Sequence, residues 1–148
     1  MNTIHWDIKH FNDLTKLEFH DIIQLREKVF VVEQDCPYLD VDGQDVHTYH
    51  VIGSINKRVV ATARIFAPHE AGTVIIGRIC NDESTRGSGM GKALVQHALD
   101  YCQRQWPSAP IKISAQCYLI RFYNSFGFEI EGEEYLEDGI PHIGMIIR

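Results

Sequence analysis

The sequence predicts an α/β (α+β) fold in which strands and helices alternate along one domain. Three observations carry that prediction. Short runs rich in β-branched residues, such as 73–80, are separated by segments whose apolar residues recur at helical spacing. A chain of 148 residues, 45% hydrophobic and 23% charged, can bury one sizeable core and has an ordinary globular composition. No linker, internal repeat or low-complexity stretch divides it, so residues 1–148 are expected to form a single unit.

Each element has its own local reason. Residues 4–10 read as a first strand. Thr15-Lys16-Leu17-Glu18 has the form of a capping box and starts a helix expected to reach Val32, with Phe19, Ile22, Leu25 and Val29 on one face. Residues 36–47 carry Pro37, Gly43 and the aspartates 40, 42 and 45, and are expected as a loop. Residues 49–55 and 58–66 form a hairpin around Asn56-Lys57. Pro68 and Gly72 interrupt before the strand 73–80. A glycine-rich turn then opens a helix on which Leu94, Val95, Ala98, Leu99 and Cys102 share a face. Residues 111–116, 129–135 and 142–147 supply the remaining strands.

The turn Arg86-Gly87-Ser88-Gly89-Met90-Gly91 is the most informative stretch. Glycines that open a helix expose unpaired backbone N–H groups at the positive end of the helix dipole, which suits phosphate. A P-loop is excluded, because Arg86 stands where its first glycine belongs and Ala93 replaces the magnesium-binding hydroxyl. The dinucleotide pattern G-x-G-x-x-G fails at Lys92.

The remaining form, R-x-x-G-x-G, resembles the acyl-CoA signature of the GNAT N-acetyltransferase superfamily. The strand Ile111-Lys112-Ile113-Ser114-Ala115-Gln116 and then Phe122-Tyr123-Asn124-Ser125-Phe126-Gly127-Phe128 follow in that superfamily's order. Two further blocks are similar to its ElaA-like group, so the resemblance spans nearly the whole chain. The first runs from Leu25-Arg26 through Glu33-Gln34, Cys36-Pro37-Tyr38 and Asp40-x-Asp42-Gly43-x-Asp45 to His50. The second is Tyr135-Leu136-Glu137-Asp138-Gly139-Ile140-Pro141-His142-Ile143-Gly144-Met145.

The resemblance implies a GNAT fold: a central mixed, mostly antiparallel sheet, splayed where the cofactor enters, with helices on both faces. It implies an acetyl-CoA-dependent N-acetyltransferase in which an amine attacks the thioester directly in a ternary complex, without an acyl-enzyme. Main-chain groups of Ile79, Cys80 and Asn81 would hold the acetyl carbonyl and pantetheine. Gly87, Ser88, Gly89, Met90 and Gly91 would hold the diphosphate, with charge added by Arg86 and Lys92. Gln116, where the family often has asparagine, would hydrogen-bond the cofactor, and Tyr123 would protonate the departing thiolate. An unperturbed tyrosine does this uphill by about 2 kcal/mol.

An alkyl amine of pKa about 10.4 needs about 4.6 kcal/mol to be deprotonated at pH 7, so a general base is expected. The family often places a glutamate on the strand before the loop. Here that strand offers Gly77 and Arg78, with no carboxylate before Asp82. The candidates for base or substrate orientation are Glu33, His50 and His142, an imidazole being suited by its ordinary pKa of about 6.5.

A net charge of −6 argues against nucleic acid or an anionic membrane as partner. No run of about eighteen apolar residues is present. The opening stretch Met1-Asn2-Thr3-Ile4-His5-Trp6-Asp7 is unlike a signal peptide, so a cytoplasmic protein is expected. Cys36, Cys80, Cys102 and Cys117 read as reduced packing residues, and His47 and His50 lack any supporting metal pattern. The expected partner is a small-molecule or peptide amine, with a homodimer among the open arrangements. Two alternatives stand beside the transferase. One is a non-catalytic acyl-CoA-binding or sensing protein, kept open by the absent strand carboxylate. The other is a homoserine-lactone-type acyl synthase, whose larger acyl carrier would need a basic docking patch that is not seen here.

Overall fold

In the computed structural model, which describes residues 3–148, seven strands form one sheet in the order β1-β2-β3-β4-β5-β7-β6. Met1 and Asn2, part of the stretch read for a leader, lie outside the described residues. The strands are β1 (Ile4–His10), β2 (Tyr49–Ile55), β3 (Arg58–Phe66), β4 (Val74–Asn81), β5 (Ile111–Gln116), β6 (Glu129–Glu137) and β7 (Ile140–Ile147). The helices are α1 (Lys16–Arg26), α2 (Met90–Gln105) and the short α3 (Ile120–Asn124). All neighbouring strands pair antiparallel except β4 and β5, which run parallel. The expected mixed, mostly antiparallel sheet is therefore present.

Local chemistry accounts for most boundaries. The Thr15 hydroxyl accepts from the Glu18 N–H at 3.0 Å, and the Glu18 carboxylate accepts from the Thr15 N–H at 2.8 Å, completing the capping box. Asn56 and Lys57 have φ of 51° and 66°, the left-handed pair that lets a two-residue hairpin follow the strand twist. The first helix departs from expectation. It is α-helical only to Arg26 and continues as a wider π-helical segment over Glu27–Glu33. Such windings are rare and concentrate at functional sites.

The sheet is covered on both faces. Ala61, Ala63 and Ile65 of β3 share the main core with Leu94, Val95, Ala98 and Leu99 of α2. Burying one such side chain contributes roughly 1.5–3 kcal/mol. On the other face Leu25 and Val29 pack against Cys80.

Two irregularities open the sheet. The parallel pairing of β4 with β5 lasts for only Val74↔Ile111 and Ile75↔Lys112, so the rest of β4 has no strand neighbour on that side. On its other side β4 carries a bulge: Thr62 pairs with Cys80 but Arg64 pairs with Gly77. Arg78, inside that bulge, has φ +48°. β6 ends the sheet. It is almost wholly exposed, five of its nine residues are glutamate, and its register with β7 shifts between Glu131 and Tyr135.

Candidate active site

The wedge between β4 and β5 is a cleft of about 710 Å³. Its walls are β4 from Ile76 to Asn81, the turn before α2, Ser114 and Gln116 of β5, and Phe122 and Tyr123 of α3. The π-helical segment and the loop through Asp40 roof it, and the β6–β7 hairpin closes one end.

At the α2 end the site is made of backbone. Gly87 and Gly89 have φ of +79° and +83°, a region that side chains rarely adopt, and nothing lies within 4 Å of a Cβ built on either. Gly89 caps α2 without a side chain, so the first-turn N–H groups of Met90, Gly91 and Lys92 have no intrahelical acceptor. An anionic diphosphate fits that cradle. The turn is anchored from below. The Ser88 hydroxyl donates to the Thr85 carbonyl, and Thr85 in turn donates to the Asp82 carbonyl at 2.6 Å and accepts from the Asn81 amide at 2.9 Å. Asp82 accepts from Lys28 at 2.7 Å and Arg58 at 2.9 Å. Burial would raise its carboxyl, but Lys28 and Ser84 hold it well below the usual range.

The charged residues predicted here divide. Arg86 does not extend freely: it donates to Glu33 at 2.7 Å and to the Asn81 carbonyl at 3.1 Å. This bridge ties the π-helical segment to the turn and engages the Glu33 carboxylate. The Lys92 side chain is exposed and, with Ser88, lies outside the cleft lining, although Ser88 helps shape the turn. Ile79, Cys80, Asn81 and Gln116 all line the cleft.

Tyr123 also lines it, buried edge-on against Phe122 and Phe128 at ring distances of 5.2 and 5.9 Å. Burial, with Tyr118 nearby, pushes its phenol up to about 12. Proton transfer to a thiolate of ordinary pKa is then uphill by roughly 5 kcal/mol rather than 2, before any ligand adds its own field. Burial likewise pushes the Cys80 thiol up, which disfavours the nucleophilic thiolate.

The two candidate histidines separate. His50 is fully buried on β2, away from the cleft, with Nε2 near the Thr48 hydroxyl at 3.0 Å and the Asp45 carbonyl at 3.1 Å. Burial lowers its pKa, so it is a neutral packing group and not a base facing substrate. His142 lines the cleft, 6% exposed, between Gln116 on β5 and Tyr135 on β6. Its Nδ1 lies 2.7 Å from the Ile140 carbonyl, which can only accept, so Nδ1 carries the hydrogen. Nε2 faces the Glu137 carboxylate at 3.4 Å.

A family model described as an acetyltransferase (GNAT) domain matches residues 26–148. The chain belongs to the GNAT acetyltransferase family. Among its GNAT relatives, protein ElaA of Escherichia coli is 43% identical over 145 residues, covering 96% of this chain and 95% of that one. The crystal structure of Escherichia coli ElaA superposes with a TM-score of 0.93 at 41% identity, covering 99% and 100% of the two chains. A structure described as an acyl-CoA N-acyltransferase from Pseudomonas aeruginosa gives 0.92 at 42% identity, covering 97% and 99%. The acyl-homoserine lactone synthase LasI, at 14% identity and a TM-score of 0.78 over 99% and 90% of the chains, shares the fold alone.

One feature of this GNAT chain was not foreseen. Arg26, Arg64 and Arg78 converge on the three aspartates of the 40–45 loop. Arg26 reaches Asp40 at 2.8 Å and Asp45 at 2.6 Å, Arg64 reaches Asp42 at 2.8 Å, and Arg78 reaches Asp40 at 2.8 Å. Burial would raise Asp42, but hydrogen bonds from Arg64 and Gln44 bring it down to about 2. The cluster holds Arg78 in its left-handed conformation, which otherwise costs about 1–3 kcal/mol, and so fixes the bulge on the cleft floor. Gly77, an isolated glycine within a strand pattern, was the one sequence signal for that bulge. Among the described residues no helix is long and apolar enough to cross a membrane.

Proposed function

We propose that the protein is an acetyl-CoA-dependent N-acetyltransferase acting on a small-molecule or peptide amine by direct attack, as one unit over residues 1–148 in the cytoplasm. The observation that carries this reading is the convergence, in one cleft, of the side-chain-free start of α2, the unpaired edge of β4, Tyr123 and His142. The N–H groups after Gly87 bind the diphosphate, and the β4 edge from Ile79 to Asn81 aligns the pantetheine and acyl carbonyl. Tyr123 donates a proton to the sulfur as the C–S bond breaks. His142, which lines the cleft, takes the base role ahead of Glu33, which Arg86 engages, and His50, which is sealed in the core. The raised thiol of Cys80 supports direct attack over an acyl-enzyme.

Acetyl-CoA should raise the melting temperature while ATP and NADH leave it unchanged; equal shifts from all three would overturn the reading. Thiol release on adding amines then separates a transferase from a protein that only binds the thioester.

A further inference from the structure

Two hydrogen-bond acceptors face each other at the hairpin end of the cleft. In its uncharged form the His142 ring, with Nδ1–H committed to Ile140, presents a lone pair at Nε2, and 3.4 Å away stands the Glu137 carboxylate. That separation exceeds an ordinary N–H···O bond, and in that form neither atom brings a donor. The ring is held by that Ile140 bond and lies 6.2 Å from Tyr135 at 25° from parallel, the Tyr135 hydroxyl in turn being hydrogen-bonded to Ser114. A group with several N–H donors satisfies both acceptors at once, and a primary ammonium is such a group.

The surrounding charges narrow the class further. Of the carboxylates lining the cleft, Glu33 is held by Arg86, and Asp40 by Arg26 and Arg78. Glu137 and Asp138 have no arginine or lysine partner among the described residues. Beside them the roof exposes Tyr38 and Leu39, which are 54% and 84% exposed. One cationic centre is therefore matched, an anion next to it is repelled, and an apolar stem is covered.

We infer that Glu137 and His142 form an ammonium clamp that selects a primary amine on an uncharged, apolar stem and rejects amines bearing a neighbouring carboxylate. This rests on the transferase reading and deepens it. The ammonium gives one proton to His142 Nε2, and the freed amine forms the C–N bond as the C–S bond breaks. Its second proton leaves to solvent after His142 has released the first. Sulfur takes the Tyr123 proton, which solvent restores, so amide, thiol and one net proton result. Glu137 stabilises the imidazolium formed on the way.

Phenethylamine, phenylalanine amide and phenylalanine differ at one substituent and test the clamp with acetyl-CoA saturating. The first two should be acetylated with kcat/KM roughly tenfold or more above phenylalanine, as expected when like charges are juxtaposed. Glu137→Gln should shrink that ratio several-fold through KM and leave acetyl-CoA affinity unchanged by calorimetry. Equal use of phenylalanine, or an unchanged ratio in Glu137→Gln, overturns the inference. The imidazole 15N signals of the intact protein give a readout independent of turnover, with His142 assigned by its loss in His142→Gln or its displacement in Glu137→Gln. A shift with phenethylamine but not phenylalanine supports the clamp even without product, in which case the transferase reading has failed and the clamp has not. No shift with any of the three overturns the clamp.

Discussion

The two ends of the cleft are built from different material. At the α2 end the unpaired donors are main-chain amides, and the side chains nearby serve to set a turn. At the hairpin end the groups are side chains on a loop and two strands, separated by about a hundred positions of sequence. A backbone end is fixed by φ angles, and almost any side chain added there harms it. A side-chain end can be rewritten residue by residue while the sheet stays the same. In one molecule, the α2 end is built from a local stretch of sequence and the hairpin end is assembled over long range.

The largest expected effect strikes the support of the roof. Arg26→Met removes the most buried arginine of the cluster and leaves Asp40 to Arg78 and Asp45 to Arg64, a loss on the order of 3 kcal/mol, or about 10 °C of melting temperature in a chain of this size. A drop of only a degree or two, measured by calorimetry, would mean that the loop does not depend on the cluster. Next, Tyr123→Phe should lower kcat about 100-fold, the low end for a proton donor, with acetyl-CoA affinity nearly intact. Unchanged turnover would remove Tyr123 from the chemistry. Gly89→Val forces a β-branched residue to positive φ, which costs at least about 1–2 kcal/mol. It should weaken acetyl-CoA binding roughly tenfold or more while amine KM moves little. Should amine KM suffer equally, the two ends are not separable. The smallest effect is in pH. Asp42 titrates near 2 in the fold against about 3.9 when unfolded, so its contribution is complete above the higher value and lost as pH falls toward the lower. Asp42→Asn should therefore flatten the acid limb of the melting profile between about pH 4 and 2. An unchanged limb would show that Asp42 does not contribute there.

The same division decided what could be read from the sequence. β1, β2, β3 and β5 were expected at their observed limits, since alternation, Asn56-Lys57 and the flanking glycines and prolines are local signals. The α2 turn was legible for the same reason. The π-helical winding after Arg26 was not, because no sequence propensity separates it from an α-helix. His50 was misjudged because alternation tells which residues share a face but not which polar one is sealed in the core. Glu137 and the partners of Asp40, Asp42 and Asp45 lie beyond any local pattern. They become visible only when the bulge in β4 and the β6–β7 hairpin bring them together.

The glutamates of β6 also bear on how copies of this chain meet. β6 is a free sheet edge, and an unpaired edge invites a second chain to add its own strand. Five carboxylates along nine residues, with the register broken near Gly132, would set negative charge against negative charge in any such pairing. A long strand can thus stay in water beside the cleft, and a dimer that extends the sheet through β6 is disfavoured.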